Sequence, residues 1–172
     1  RLVKGAPSLR TAANPSRDRR LHQSLDGASE GDIGLRPLLS IPDIVREHGI
    51  DPDPLMARAG IDPRLFLDGD SRVPFDALGS LADEAATAIG CPHFGLLVAA
   101  RFELSSLGAL GYLMRNDSSV GSALNDLVLH LHLRDRGAVP NIVRLDERNV
   151  AFTYAIYHPN TPAAHIIYDA AM

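Results

Sequence analysis

Hydrophobic side chains recur at helical spacing in the central part of the chain. They form one stripe from Phe75 to Ile89, the acidic residues lie away from that stripe, and Gly90 follows as a stop signal. A second series runs from Val120 to Leu131 at every third or fourth residue. The two patterns predict amphipathic helices that each bury one face.

Two shorter helices are predicted earlier, between residues 41 and 60. Ser40 precedes Asp43 by three residues, as in a capping box with Asp in place of Glu, and Gly49 suits a left-handed helix end. Asp53-Pro54 is typical of a capping carboxylate before a first-turn proline, which predicts the start of the second helix.

The order helix, glycine, helix also suits a DNA-binding helix-turn-helix. Residues 41–60 carry two arginines against four acidic residues, which gives a net charge of −2. A recognition helix presents cations and amides to phosphates and base edges. We therefore interpret this segment as a structural pair of helices.

Glycine is frequent in "LGALGYLMRNDSSVGSAL", residues 107–124, which suits either a ligand-holding loop or two packed helices. A phosphate-binding loop needs glycines in a tight turn that leads into a helix, usually after a strand. The leucines instead keep helical spacing, and Gly108 and Gly111 share one edge, where another element can approach closely. We predict two helices with a capped joint in the polar break between them. The apolar stretch at 93–104 fits either a buried helix or a strand.

The pattern changes to strands near the C-terminal end. Residues 141–145 and 150–157 flank a polar connection at 146–149, and alternation in the second run predicts an antiparallel hairpin with one face on the helices. Thr161-Pro162 then caps a last helix that reaches Met172 without a stop signal. The predicted fold class is therefore α+β: a mainly helical domain packed on a small antiparallel hairpin or sheet, incomplete at its C-terminal end.

Residues 1–36 lack sustained periodicity and are polar, so we predict a mostly disordered arm before a domain of residues 37–172. The arm carries seven basic and four acidic residues, a net charge of +3, whereas the domain carries ten and seventeen, a net charge of −7. The alternative, a basic arm for an acidic partner, rests only on "RDRR" at 17–20. An acidic domain repels nucleic-acid phosphates. No apolar run reaches the roughly 18 residues of a membrane span.

No arrangement of side chains predicts catalysis, a metal site or a cofactor. His130 and His132 are two residues apart, which on a helix turns their rings about 200° from each other and prevents joint chelation. Ser122 lacks the flanking glycines of a nucleophile elbow, and Cys91 is the single cysteine. Glycine motifs for dinucleotides or phosphates are absent from the sequence. We therefore predict no catalytic residue, no metal and no cofactor.

Three motifs follow one another in the helical part of the chain: Phe94-Gly95-Leu96, "LGALGY" at 107–112, and "SVGSAL" at 119–124. Together with the hairpin, they resemble the N-terminal effector-sensing, arabinose-binding-like domain of AraC-type transcription regulators. The resemblance covers residues 37–172. Departures are small, such as Ala99-Ala100 where that family often has a glycine.

The resemblance implies a cytoplasmic, dimer-forming bacterial domain that binds a small-molecule effector. It also implies that DNA is bound only through a C-terminal domain with two helix-turn-helix units, which lies outside this sequence. The expected partners are therefore an effector and a second copy of the chain, and no membrane. The resemblance is to regulators rather than to enzymes.

Four residues are our candidates for ligand binding: Tyr112, Arg115, His130 and Tyr154. Each supplies a hydrogen-bonding tip beside an apolar face, which suits a pocket between the helices and the hairpin. The alternative is that the tyrosines are core aromatics and Arg115 is a surface charge. For the whole domain, the alternatives are a small-molecule enzyme of unknown reaction, with reactive groups that converge in a pocket, and a structural interaction module with an exposed apolar patch.

Overall fold

The computed structural model describes residues 31–157 and 161–171. Within these ranges the α-helices are α1 (Ile41–Glu47), α2 (Asp53–Arg58), α3 (Phe75–Ile89), α4 (Phe94–Ala99), α5 (Ala109–Arg115), α6 (Val120–His130) and α7 (Ala164–Ala171). The strands form two antiparallel pairs, β1 (Asp32–Gly34) with β2 (Arg72–Pro74), and β3 (Ala138–Arg144) with β4 (Val150–Ile156). The predicted α+β class is confirmed. No helix in the described ranges is both long enough and apolar enough to cross a membrane.

Helix α3 is the centre of the hydrophobic core. Its predicted stripe is buried, with Phe75, Leu78, Leu81 and Ala85 at most 3% exposed. Helices α2, α4 and α7 pack against it. Because each large apolar side chain that leaves water contributes about 1.5–3 kcal/mol, this stripe is a main source of stability.

The predicted cap of α1 is wrong. Ser40 follows a 3-10 turn at Arg36–Leu38 and has helical backbone angles (φ −74°, ψ −13°), and its hydroxyl makes no capping hydrogen bond. A capping serine needs non-helical, usually extended, angles to reach the first amides of the helix. Asp43 forms an ion pair with Arg46 instead (2.9 Å).

The predicted glycine ends are confirmed at Gly49 and Gly90, where φ is +78° and +71°. Glycine adopts this left-handed conformation readily because it has no Cβ. At the start of α2 the capping carboxylate is Asp51, whose Oδ1 accepts the backbone N–H of Asp53 (3.1 Å). The predicted capping role of Asp53 is therefore wrong, because Asp53 is already the first helical residue.

Residues 107–124 contain α5 and the start of α6, so the prediction of two helices is confirmed. Ser119 has extended backbone angles, and its Oγ accepts the N–H of Ser122 (3.1 Å), which caps α6. Gly111 allows a close approach, because a Cβ at this position would lie 1.7 Å from the carbonyl oxygen of Leu104. The predicted close approach is therefore confirmed at Gly111. The predicted shared edge is wrong, because Gly108 precedes α5 with φ +63° and serves the turn into that helix.

The apolar stretch at 93–104, which fits a helix or a strand by sequence, forms α4 and leads into a 3-10 turn at Leu104–Leu107. Helices α4 and α7 lie close together because of Gly95. A Cβ on Gly95 would lie 2.0 Å from the carbonyl oxygen of Ile166. This contact places α7 against both α4 and α3.

Strands β3 and β4 form the predicted hairpin, with Pro140 opposite Tyr154. Strand β3 begins three residues before the predicted start, and the connection, residues 145–149, is one residue longer than predicted. The Asp146 carboxylate accepts two backbone N–H groups in this connection (2.7 and 2.8 Å), which fixes its turn. Alternate residues of β4 are half-buried, so one face of the hairpin lies against the helices, as predicted.

The described structure begins before the predicted domain boundary at residue 36. Strand β1 lies within the predicted arm, and Leu35 is completely buried in the core. Ile33 pairs with Val73, and such non-local pairing leaves no periodicity in a short segment. The domain therefore includes residues 31–36, whereas residues 1–30 of the predicted arm lie outside the described residues.

A short segment before the hairpin extends the β1–β2 pair. The Gly34 N–H donates to the carbonyl oxygen of Arg134, and the Arg136 N–H donates to that of Asp32, both at 3.1 Å. Between them, Asp135 bridges Ile33 in antiparallel fashion. This pairing fixes Asp135 between the N-terminal strands and the hairpin.

Candidate functional site

A cavity of about 250 Å³ lies between the helices and the β3–β4 hairpin. Its wall is almost entirely apolar and includes Ile41 of α1, Leu78 of α3, Val98 of α4, Met114 of α5, Leu127 of α6, Ile166 of α7 and Phe152 of β4. Tyr154 is the one polar side chain in the wall as the described residues form it. Small-molecule pockets usually have about 300–1,000 Å³, an apolar lining and few polar groups. The cavity is therefore a small, apolar candidate binding site.

Tyr154 connects this wall to a buried carboxylate. Its hydroxyl donates to Oδ2 of Asp135 (2.7 Å), and Asp135 is only 5% exposed. The other carboxylate oxygen accepts the backbone N–H groups of Gly137 (2.8 Å) and Ala138 (3.2 Å). Three donors thus hold Asp135, and this arrangement fixes the orientation of the Tyr154 ring. Edge-to-face contact with Tyr168 (ring centroids 6.5 Å apart) supports the same orientation.

Burial has the largest effect on the pKa values of Asp135 and Tyr154. It raises the pKa of Asp135 above the usual value, although the hydrogen bonds from Tyr154, Gly137 and Ala138 and the charge of Arg72 act in the opposite direction. Burial, together with the charge and the hydrogen bond of Asp135, also raises the pKa of Tyr154. The Tyr154 hydroxyl is therefore protonated at neutral pH and serves as the donor to Asp135.

Two arginines lie near Asp135 but outside the cavity wall that the described residues form. Arg72 donates through Nη2 to the carbonyl oxygen of Leu133 (2.9 Å). Its Nη1, and Nε of Arg134, are buried without a hydrogen-bond partner among the described residues. Burial and the neighbouring positive charges of Arg36 and Arg72 lower the pKa of Arg134. Positive charge is thus close to the Asp135 carboxylate, and neither arginine belongs to the cavity wall that the described residues form.

The structure places one of the four predicted ligand-binding residues, Tyr154, in the cavity wall. Tyr112 is 74% exposed on α5, and Arg115 is exposed at the end of the same helix. His130 ends α6, and its Nδ1 lies 2.9 Å from the carbonyl oxygen of Asp126, in hydrogen-bonding contact. These three lie outside the wall as the described residues form it, so the four are not brought together. Their roles in binding stay predictions.

Direct neighbours of two predicted residues do line the cavity. Met114 precedes Arg115, Leu131 follows His130, and both apolar neighbours belong to the wall. One residue along an α-helix turns the side chain by about 100°, because a turn holds 3.6 residues. Met114 and Arg115 therefore point in different directions from the same helix.

Asp135 is the residue that sequence reasoning missed. A carboxylate between Arg134 and Arg136 is by default a solvated surface charge. The one available signal was its position two residues before Gly137, where aspartate side chains often accept backbone N–H groups of a turn. The apolar wall residues gave no separate signal, because a wall position and a core position require the same side chains.

A second, open groove of about 410 Å³ shares Pro37 with the cavity and is more polar. Two of its lining residues, Arg36 and Arg101, already form ion pairs, with Asp70 (2.8 Å) and with Glu47. An anionic ligand in this groove would compete with these pairs. Elsewhere in the described ranges, no three His, Cys, Asp or Glu side chains are grouped to hold a metal ion. The apolar cavity is therefore the stronger candidate site.

The sequence of the chain is similar to known transcription regulators. Residues 49–172 match the family model for the arabinose-binding domain of AraC transcription regulators, N-terminal part. The HTH-type transcriptional regulator VirS of Mycobacterium tuberculosis is 26% identical over 131 residues, which cover 76% of this chain and 38% of VirS. The ornithine utilization regulator of Pseudomonas aeruginosa is 28% identical over 82 residues, 48% of this chain and 24% of that protein.

These matches confirm the resemblance that the glycine and leucine motifs indicated. The chain spans less than two fifths of the length of VirS, the longer of the two matches. The proteins it resembles are transcription regulators, and the family model covers well over half of the chain. The chain therefore belongs to the family of N-terminal, arabinose-binding-type regulatory domains of AraC transcription regulators.

Proposed function

We propose that this domain binds a small-molecule effector in the apolar cavity and thereby controls DNA binding by another part of a full-length AraC-type regulator. The proposal rests on the number of helices and strands that contribute side chains to the cavity wall. The wall takes residues from α1, α3, α4, α5, α6 and α7 and from both hairpin strands. One ligand in the cavity would contact all of these elements at once.

Such a ligand shifts the population of domain conformations. A compound that binds one arrangement of helices and hairpin better than another increases the share of that arrangement, by as much as its two affinities differ. Tyr154 extends the effect beyond the cavity, since its hydroxyl bonds to Asp135, which pairs with strand β1. The coupling to DNA then follows from which arrangement the DNA-binding part tolerates.

Charge supports a division of labour between sensing and DNA contact. Residues 37–172 carry a net charge of −7, which disfavours contact with phosphates. One of the matched regulators is named as HTH-type, and the present chain covers 38% of its length. We place DNA contact in a C-terminal helix-turn-helix domain of the full-length protein, and we assign the present domain a binding role without catalysis, in the cytoplasm.

We also propose that the domain forms a homodimer through α5 and α6. These two helices pack against each other and expose large apolar side chains. Tyr112 (74%), Val120 (77%) and Leu129 (62%) are the most exposed of them. A second copy of the chain would remove these side chains from water, which favours association.

Tyr112, Arg115 and His130 stay in the proposal as secondary candidates. Arg115 and His130 are next in sequence to Met114 and Leu131 of the wall, and Tyr112 lies on α5 two residues before Met114. A polar end of an effector that projects from the cavity toward α5 and α6 would meet these side chains. Single alanine substitutions should then weaken binding less than a change in the wall itself.

The proposal is tested by a thermal-shift screen of amino acids, sugars, fatty acids and uncharged aliphatic alcohols on the full-length regulator. Ala99 lines the cavity, whereas the next residue, Ala100, is exposed and outside the wall as described. Ala99→Phe should therefore fill the cavity, and Ala100→Phe is its matched control. We expect compounds that raise the melting temperature of the wild-type protein and of Ala100→Phe but not of Ala99→Phe.

A screen in which no compound raises the melting temperature contradicts the proposal. A compound that stabilises Ala99→Phe as strongly as the wild type contradicts it too, because that compound binds elsewhere.

A further inference from the structure

We propose that the cavity takes an uncharged, mainly apolar molecule, such as a medium-length aliphatic alcohol, rather than a carboxylate, an amino acid or a sugar. The inference rests on the proposed function, because it names the chemical class of effector for the same site. It follows from the side chains of the wall, the hydrogen bond of Tyr154 and the position of the nearby charges.

The wall offers almost no partner for a polar ligand. Apart from Tyr154, every side chain that the described residues place in it is apolar, and at Gly95 there is none. A hydroxyl, amide or charge buried there without a partner costs more free energy than its hydrogen bonds in water return. Dry apolar cavities of about 150 Å³ already admit benzene, so a cavity of about 250 Å³ has room for a larger apolar compound.

Tyr154 restricts the one polar contact that the wall can make. Its proton is donated to Asp135 (2.7 Å), which leaves a lone pair of the phenolic oxygen as an acceptor. A ligand hydroxyl that reaches this oxygen can donate to it. A carboxylate has no proton to donate and would lie close to the buried carboxylate of Asp135, whose negative charge repels it.

The wall that the described residues form contains no positive charge to compensate a carboxylate. Arg72 donates to the Leu133 carbonyl oxygen, and Arg36 and Arg101 form ion pairs in the open groove. None of these arginines belongs to the wall that the described residues form. An ionised group inside the cavity would therefore have no counter-ion among the wall residues.

The direct test is isothermal titration calorimetry of the chain with 1-octanol and octanoate at pH 7.5. The two compounds have the same carbon number, and octanoate is ionised at this pH because carboxyl groups titrate near pH 4. L-ornithine and L-arabinose serve as polar comparisons. We expect 1-octanol to bind at least tenfold more tightly than each of the other three compounds.

Substitutions in the wall locate the binding. Ala99→Phe should weaken 1-octanol binding at least tenfold, and Ala100→Phe should leave it unchanged. Met114→Lys places an ammonium group in the wall, so we expect it to reverse the preference in favour of octanoate. Leu113→Lys, at a neighbouring position that is 45% exposed and outside the described wall, should keep the wild-type preference. Circular dichroism checks the fold of each variant, and the Ala99 pair carries the test if Met114→Lys does not fold.

Four results overturn the inference. In the first, octanoate binds as tightly as 1-octanol in the wild-type chain. In the second, Ala99→Phe binds 1-octanol as well as the wild type does. In the third, 1-octanol does not bind at all. In the fourth, L-ornithine or L-arabinose binds more tightly and Ala99→Phe abolishes that binding, which overturns the ligand class but leaves the proposed effector site in place. The proposed function itself fails only if no compound in the thermal-shift screen is sensitive to Ala99→Phe.

Discussion

The Tyr154 hydroxyl and the Asp135 carboxylate are joined by a 2.7 Å hydrogen bond that links the hairpin to the segment paired with β1. Both partners are largely removed from water, so neither can exchange this bond for one to solvent without local opening. The bond is thus a structural connection between the cavity wall and the N-terminal strands.

Removal of this bond should destabilise the domain. Tyr154→Phe keeps the ring in the wall but leaves Oδ2 of Asp135 without its donor, which typically costs about 1–3 kcal/mol for a buried group. Urea unfolding followed by circular dichroism measures the change. Tyr157→Phe is the control. Because Tyr157 is 63% exposed, the free energy of unfolding of this variant should lie within about 0.5 kcal/mol of the wild-type value. Equal stability of the two variants would contradict the role of the bond.

The raised pKa of Asp135 predicts a specific pH dependence. In the unfolded chain the Asp135 carboxyl has the ordinary pKa of 3.8. As pH rises, the unfolded chain therefore releases this proton at a lower pH than the native protein does. The contribution of Asp135 to stability is therefore fully present below about pH 3.8 and is lost as pH rises through the raised native value. Asp135→Asn does not titrate, so its stability relative to the wild type should increase with pH over this range.

Urea unfolding of both proteins at several pH values from 3.5 to 7 provides the measurement. The paired comparison cancels the opposite contributions of Glu47, Asp70 and Asp146, whose lowered pKa values make the native state less stable in acid. A difference between the two proteins that is flat, or that decreases with pH, would count against the burial of Asp135.

The close contact of α4 with α7 predicts unequal effects of alanine at two glycines. In Gly95→Ala the new Cβ would lie 2.0 Å from the Ile166 carbonyl oxygen, so the helices must separate. Overpacking of this kind costs about 1–3 kcal/mol. In Gly121→Ala, in the first turn of α6, the new Cβ would have Ser119 Oγ as its nearest packing neighbour, at 3.9 Å. This substitution should be neutral or stabilising by up to about 1 kcal/mol. Thermal unfolding of both variants tests this contrast, and a harmless Gly95→Ala would refute the contact.

Two serines distinguish the observed helix caps from the one that the sequence suggested. Ser119→Ala removes the acceptor for the Ser122 N–H at the start of α6 and should cost about 0.5–2 kcal/mol. Ser40→Ala removes a hydroxyl that makes no capping hydrogen bond and should change stability by less than about 0.5 kcal/mol. Urea unfolding decides between them, and a larger loss for Ser40→Ala would restore the predicted capping box.

Local patterns were sufficient for the long elements of the fold. The stripe from Phe75 to Ile89 and the series from Val120 identified α3 and α6, because an amphipathic helix records its buried face at every third or fourth residue. Strand β1 was missed, since three residues are too few to show a period and its partner lies far along the chain. Ser40 was misassigned because a capping sequence says nothing about the turn that precedes it.

The candidate site was harder to predict than the fold. Tyr154 was identified as a hydrogen-bonding tip on the covered face of a strand, and it does lie in the wall. Most of the wall, however, consists of residues such as Val98 and Leu127, whose chemistry is that of any core position. Only the three-dimensional arrangement shows that these side chains surround a space rather than fill it. A search of the sequence for polar residues therefore finds only Tyr154 among the described wall residues of this apolar site.

Occupation of this cavity should control DNA binding by the full-length regulator. The most direct measurement is the operator affinity of the full-length regulator by fluorescence anisotropy, with and without the screened compound that gives the largest thermal shift. We predict that the compound changes this affinity by about 5–150-fold in the wild type and in Ala100→Phe, the usual range of allosteric coupling, and leaves Ala99→Phe unchanged. An Ala99→Phe regulator that responds like the wild type, or a bound compound that leaves operator affinity unaltered, would contradict the account.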